Sequence, residues 1–295
     1  MSYVVVKIGG AAGVDTEPLC AEIAALNASG LNVVLVHGTS AAADALAERV
    51  GQPVRHLVSP GGHVSRYTDP ETLEIYVAAA AGQVNKRLVA NLQSRGCNAL
   101  GLSGVDGRLL VARRKGAVRS IEGGRQRVVR DDYTGQLETA NGELLRLLID
   151  AGYVPVVAPL ALGAEGERLN VDGDRAAAML AGALGASALV ILSNVPGLLA
   201  SYPDPDSLVR HLPASALPAA ESMAQGRMKR KVLAAGEALR LGVSRVILAD
   251  SRCSEPLRSA LAGAGTVIGE PLTHVIDLPM AWRMSELASV EVPRA

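Results

Sequence analysis

Six short runs of branched aliphatic residues constrain this chain more than any other feature: "YVVVKIGG" (3–10), "NVVLVHG" (32–38), "NALGLSG" (98–104), "VPVVAPL" (154–160), "ALVILSN" (188–194) and "SRVILAD" (244–250). They are continuously apolar rather than alternating, and most close on Gly, Asn or Asp. Strands of that kind need cover on both faces, which a parallel sheet between helical layers supplies. The stretches between them read as those helices. "TEPLCAEIAALNASG" (16–30) has a cap at Asp15 or Thr16, proline in its first turn and Gly30 at its end; "ETLEIYVAAAAGQVNKRLVANLQSRG" (71–96) follows Pro70 and also ends on glycine. Strand and helix alternate throughout, so the fold class is α/β with a mainly parallel central sheet, and ligands should lie beyond the carboxyl ends of the strands. Lys7, His37, Asn194 and Asp250 fall there.

The chain has 295 residues, enough for one large domain or two lobes. A weak boundary lies near 163–170, "GAEGERLN", between a strand and a new helix. Residues 271–295 hold the lone Trp282 and no motif, and read as an appended tail. Acidic and basic residues balance at 29 each, so any attraction for nucleic acid or an acidic membrane has to be local. No apolar run is long enough to cross a membrane and the N-terminus lacks a signal-peptide layout, so the chain reads as cytoplasmic. Cys20, Cys97 and Cys253 are too scattered for a disulfide framework or a thiolate zinc site, and no residue cluster reads as a metal site. Of the 29 basic residues only five are lysines: Lys7, Lys86, Lys115, Lys229 and Lys231.

Lys7 sits where a buried strand meets Gly9, Gly10 and Gly13. It either snorkels from a sheet edge or meets an anion, because a lysine inside a Val/Ile run is costly to bury unpaired. A Rossmann site would need an acidic residue at the end of the next strand, and that strand ends at His37; a P-loop places its lysine after the glycines rather than before them. Phosphate binding by the turn itself remains, through backbone N–H groups plus the ammonium. "VHGTS" (36–40) forms a second glycine turn, where Gly38, Thr39 and Ser40 offer backbone and hydroxyl donors and His37 is either a satisfied buried imidazole or part of the site. In "RLNVDGD" (168–174), Asp172 or Asp174 would cap a helix, with Asn170 at the same sheet mouth. "SNVPGLL" (193–199) ends a strand in a Pro-Gly turn. In "QGRMKRKV" (225–232), Lys229, Arg230 and Lys231 oppose the dipole at a helix start, which calls for an anionic partner.

Taken in order, "VVKIGG", "VHGTS", "NVDGD", "LSNVPGLL" and "GRMKRKV" resemble the amino acid kinase family, in its acetylglutamate kinase branch. "PGGHVSRYTDPETLEIY" (60–76), "NKRL", "GLSGVDGRLL" and "RRK" are similar to members of that branch that act in lysine biosynthesis on an amino acid held by the acidic carrier protein LysW. The resemblance spans residues 3 to 268 and implies a three-layer αβα sandwich in two lobes. Residues 1–167 would bind the acceptor and dimerise, and 168–270 would bind ATP with Mg²⁺ held mainly by the nucleotide. Carried over by position, Lys7 and Lys231 are the transition-state lysines and Asp174 orients them. Gly38, Thr39, Ser40, Arg66 and Asn170 contact the acceptor, while Gly9, Gly10, Ser193, Asn194, Gly197, Gly226 and Met228 lie against ATP. The family usually shows a second glycine where Thr39 stands, so a positive φ there would strain this chain.

Between Arg108 and Arg130 eight basic residues face one acid, Glu122, and "IEGGRQRVV" (121–129) has a hairpin turn, which places a basic patch on a projecting β ribbon around 108–130. The resemblance gives it a partner: LysW bearing α-aminoadipate, bound through Arg113, Arg114, Lys115 and Arg119. The near absence of aromatic residues there argues against nucleic acid. The expected reaction is phosphorylation of the side-chain carboxylate of carrier-bound aminoadipate. The alternatives are free N-acetyl-L-glutamate or carrier-bound glutamate as acceptor, and a non-catalytic sensor of carrier or nucleotide. A homodimer is implied by the family alone.

Overall fold

The computed structural model describes residues 2–62, 64–123 and 125–271. The tail carrying Trp282 therefore lies, past residue 271, outside the described residues. All six apolar runs become strands of one eight-stranded sheet: across it stand His211–Leu212, Thr266–Gly269, Arg245–Asp250, Ala188–Ser193, Tyr3–Ile8, Asn32–His37, Val154–Ala158 and Ala99–Ser103. Five consecutive pairings, from Arg245–Asp250 to Ala99–Ser103, are parallel. Thr266–Gly269 runs antiparallel to its neighbour Arg245–Asp250, and His211–Leu212 continues that edge.

Each face of the sheet buries its own core, because successive strand side chains point to opposite sides. Val4, Val6 and Ile8 pack with Leu19, Cys20, Ile23 and Leu26 of helix Glu17–Ala28 on one face. Val5 joins Ala176, Ala177, Leu180 and Ala181 of helix Gly173–Leu184, and Val232, Ala234, Ala235 and Ala238 of helix Gly226–Arg240, on the other. The alanine-rich contact lets these two helices pack closely. Lys7, two residues beyond Val5, is thereby aimed at the helical pair and not at the Glu17–Ala28 layer.

Several expectations change in detail. The 71–96 helix is Pro70–Val77, then a π-helical segment Ala78–Val84, then Asn85–Gln93. Thr16 occupies the cap position of the first helix, but it is the Asp15 carboxylate that accepts from Glu17 N–H, at 2.9 Å. Residues 163–167 do not separate a strand from a helix: they turn between antiparallel strands Leu160–Leu162 and Arg168–Asn170. Those strands extend to Leu110–Arg114 and Gly135–Ala140 in a second sheet. The ribbon proper is Val118–Glu122 with Arg125–Val129, so Arg113 and Arg114 lie on the second sheet and outside the ribbon, and Arg108 ends the short turn at Asp106–Arg108.

Candidate active site

The two glycine turns cross. Gly38 N–H donates to Ile8 O at 2.8 Å and Ala41 N–H to Gly10 O at 2.8 Å. A Cβ on Gly10 would lie 2.2 Å from both Gly38 C and Thr39 N, and one on Gly38 would lie 2.3 Å from Gly10 N, so backbone rests on backbone and no side chain fits at either position. Among the described residues, the N–H groups of Gly10 and Thr39 have no hydrogen-bond acceptor. Gly9 packs beside Ser193 and donates to Leu192 O at 3.0 Å, which joins the first turn to the end of the Ala188–Ser193 strand. Thr39 has φ −135°, outside the left-handed region, so the departure from a second glycine forces no positive φ on a β-branched residue. Its neighbour Tyr76 is buried, which pushes the phenol up to about 12 while Thr39 and Arg66 pull the other way.

Lys7, Lys231 and Asp174 converge. Lys7 Nζ lies 2.6 Å from Asp174 Oδ1; Lys231 Nζ lies 3.1 Å from Oδ2 and 3.4 Å from Oδ1. All three residues are 7% exposed. Asp174 is free for this because Asp172 is the cap: one Asp172 oxygen accepts from Asp174 N–H at 2.9 Å and from Arg175 N–H at 3.1 Å. Burial raises the Asp174 carboxyl, but the adjacent Lys7 and Lys231 ammoniums outweigh it and hold it well below the usual carboxylate range. Burial lowers Lys231, Lys7 repels it further, and Asp174 acts in the opposite direction. One carboxylate thus faces two cations in a buried site, leaving positive charge that an incoming anion would neutralise. The anionic partner that the basic helix start called for is Asp174 for Lys231 and, at 3.7 Å, Asp172 for Arg230, whose guanidinium also reaches Val64 O.

His37 is the satisfied core imidazole. The Asn85 amide can only donate to its Nε2, at 3.3 Å, so the ring proton sits on Nδ1 toward Gly38 O at 3.4 Å; burial holds the ring down to about 4. Asp250 is engaged by Arg252, with a closest contact of 2.6 Å. Arg66 reaches Ser40 O at 3.3 Å and pairs with Asp44 at 2.6 Å, and Asn170 donates to the Thr68 hydroxyl at 3.1 Å. Asn194 is exposed just past Ser193, Gly197 (φ 154°) is pressed against Thr266 and Leu208, and Gly226 and Met228 open the helix that carries Lys231. Asp44, Thr68, Tyr76 and Asp132 were not singled out by the sequence. Asp44 lies in a plain helical stretch and Asp132 in a loop, so only their neighbours in space mark them.

Among the carrier candidates Arg113, Lys115 and Arg119 are exposed. Arg114 is half-buried: it stacks 3.6 Å from the Tyr133 ring centroid and donates to Asp132 O and Arg130 O. A cavity of about 530 Å³ lies between the ribbon and the neighbouring His56–Val58 strand, with Arg55, Arg127, Arg130 and Asp131 in its lining.

The profile of the amino acid kinase family matches residues 2–250. The chain belongs to this family. Within it, the chain is 54% identical over 267 residues to the [LysW]-aminoadipate kinase of Thermus thermophilus, covering 90% of this chain and 99% of that one. It is 48% identical to the [LysW]-aminoadipate kinase of Deinococcus radiodurans, over 91% and 92% of the two chains. Among solved structures, the N-acetylglutamate synthase of Neisseria gonorrhoeae, complexed with coenzyme A and N-acetyl-glutamate, superposes with TM-score 0.72 at 26% identity, covering 100% of this chain and 68% of that one. Carbamate kinase from Giardia lamblia bound to AMP-PNP shares the fold at TM-score 0.63 and 20% identity, over 92% and 99% of the chains. The amino acid kinase fold explains why the site gathers at the carboxyl edge of a parallel sheet, where two turns and two helix starts meet.

Proposed function

We propose that this chain transfers the γ-phosphoryl group of ATP to the side-chain carboxylate of α-aminoadipate held on the carrier protein LysW, giving an acyl phosphate for lysine biosynthesis. The observation that carries the reading is the pair of buried ammoniums, Lys7 and Lys231, on one carboxylate, Asp174. A carboxylate acceptor is ionised near neutral pH and needs no general base. The obstacle is electrostatic: an anion approaches a polyphosphate, and charge spreads over the transferring group and the departing diphosphate. Lys7 at the strand end and Lys231 on the facing helix supply fixed positive charge, while Asp174 holds the two ammoniums apart and aimed. The free N–H groups of Gly10 and Thr39, in a cradle that a Cβ would fill, fit phosphate or carboxylate oxygens. Mg²⁺, held mainly by the bound nucleotide, would supply further positive charge against its phosphates.

Arg66 and Asn170 are the acceptor-side residues of this reading, with Gly38, Thr39 and Ser40; Gly9, Ser193, Asn194, Gly197, Gly226 and Met228 stand on the nucleotide side. Exposed Arg113, Lys115 and Arg119 offer an acidic carrier its docking charge, and the arginine-bearing cavity beside the ribbon lies on the same lobe. Arg114 contributes by shaping that surface through Tyr133. The two relatives named for carrier-bound aminoadipate support this acceptor over the free amino acid. We read the assembly as a homodimer on family grounds.

The test is an ATP-consumption assay offering carrier-bound aminoadipate, carrier-bound glutamate and free N-acetyl-L-glutamate side by side. Turnover of carrier-bound aminoadipate with the highest kcat/KM is expected; preference for the free amino acid refutes the acceptor assignment. Retained turnover in both Lys7→Ala and Lys231→Ala refutes the catalytic one.

A further inference from the structure

Asp132 is a buried carboxylate that the chemistry above does not use. It is 1% exposed. One oxygen accepts from Thr68 N–H at 2.9 Å and the other from the Thr134 hydroxyl. The nearby Arg114 guanidinium donates to the Asp132 carbonyl at 3.1 Å, and among the described residues the carboxylate is left to its two neutral donors. Burying a carboxylate against neutral donors alone is expensive, and a loop needing only closure could use an uncharged acceptor instead.

Thr68 is what this carboxylate holds. It is 0% exposed, and its hydroxyl accepts from Asn170 Nδ2 at 3.1 Å and donates to Arg66 O at 3.3 Å. The main chain repeats the connection: Tyr133 N–H donates to Thr68 O at 2.7 Å, and Asn170 N–H donates to Tyr133 O at 2.9 Å. Residues 132–134 therefore form a strap wedged between the end of the Val64–Arg66 strand and the Arg168–Asn170 strand. Two chain segments that are 104 residues apart in sequence, at Arg66 and Asn170, are set at a fixed separation by one threonine. That threonine is in turn set by one carboxylate. Asn170 also lies four residues before Asp174, so the strap underlies the entry to the lysine-paired aspartate.

We propose that Asp132 is a positioning residue of the acceptor pocket, acting through Thr68 to fix Asn170 and Arg66 relative to the transferring phosphoryl group. The inference rests on the reading of Arg66 and Asn170 as acceptor-side residues. In-line transfer tolerates little displacement of the acceptor oxygen, so a small shift in these two side chains costs rate without touching the nucleotide. Charge-bearing hydrogen bonds are the strong ones, and an amide at 132 keeps shape while losing charge.

The experiment uses the full chain, ATP and carrier-bound aminoadipate. Asp132→Asn and Thr68→Val are expected to lower kcat/KM for the acceptor about tenfold or more, with KM for ATP held within about twofold. Thr68→Ser, which keeps the hydroxyl, is expected to recover most of that loss. Asp132→Asn combined with Asn170→Ala is expected to be clearly less than additive, since both act on one contact. A folded Asp132→Asn or Thr68→Val protein with unchanged acceptor kinetics overturns the proposal. So do parallel losses for acceptor and ATP, full additivity with Asn170→Ala, or failure of every variant to fold, each of which marks the strap as structural only. If the unmodified chain prefers free N-acetyl-L-glutamate, the carrier reading fails, and the same variants measured on that acceptor still decide the role of Asp132.

Discussion

Replacing Asp174 by Asn tests the charge balance of the site directly. The substitution keeps size and removes the only carboxylate oxygens that Lys7 and Lys231 touch among the described residues, at 2.6 Å and 3.1 Å. Two buried ammoniums are then left facing a neutral amide, and breaking a buried pair from one side costs about 3–5 kcal/mol. The protein can escape by releasing one lysine proton. A lysine with an ordinary value of 10.5 loses its proton at pH 7.5 for about 4 kcal/mol, and at pH 9.5 for about 1.4 kcal/mol. The sign follows: the variant's folded lysine is depressed below its unfolded value, the unfolded chain binds more protons, and stability climbs with pH up to about 10.5. The expected deficit is therefore about 3–4 kcal/mol at pH 7.5, shrinking to about 1 kcal/mol at pH 9.5. Thermal unfolding followed by circular dichroism at both pH values reads it out, at roughly 2–3 °C per kcal/mol for a chain this size. Tripolyphosphate or ATP should recover more melting temperature in Asp174→Asn than in the unmodified chain, because the anion occupies the place of the missing charge. Turnover should fall by about 10²–10³. Equal deficits at pH 7.5 and 9.5, together with no response to anions, would refute the idea that two charged lysines converge here.

Three further outcomes follow from the structure. His37, ordinarily near 6.5 and held down to about 4 by burial, destabilises the fold as pH drops through that window, because the unfolded chain takes up the proton first; the effect is on the order of 3 kcal/mol. His37→Gln should flatten the pH 6.5 to 4 limb of an acid-unfolding curve while leaving the loss below about pH 4, where Asp174 and other carboxylates protonate. Gly10→Ala would place a methyl 2.2 Å from the backbone of Gly38 and Thr39, and should cost more than about 3 kcal/mol or abolish soluble expression. Gly13→Ala, at φ 78° with nothing within 4 Å, should cost only about 1 kcal/mol by urea titration.

How far these features were legible differs by element. The six aliphatic runs announced six strands because burial on both faces is recorded locally, in composition. Thr266–Gly269 and His211–Leu212 left no such trace: strands of four and two residues at a sheet edge are too short to show a pattern, and their direction is set by pairing. The glycine pair at 123–124 marked the ribbon turn, but not where the basic residues divide. Arg113 and Arg114 belong to another sheet because Leu110–Arg114 pairs with Gly135–Ala140, a partner 25 residues away at the Arg113–Glu138 contact. The π-helical break in the long helix is equally silent in sequence, since a run of alanines suits either register.

By itself the sequence determined the layers, the strand ends where chemistry gathers, and the presence of a lysine too buried to stand alone. As helix caps it offered Asp172 and Asp174 as equals, and only the family resemblance set Asp174 beside the two lysines. The tertiary structure supplies the physical reason: Asp172 caps the helix and Asp174 meets Lys7 and Lys231, which depends on where the helix begins and on which face of the strand the seventh residue points. Hydrophobic periodicity is a property of neighbouring residues and is written along the chain; the pairing of charges 57 and 167 residues apart depends on the rigid placement of whole elements, which the packing of both cores fixes together.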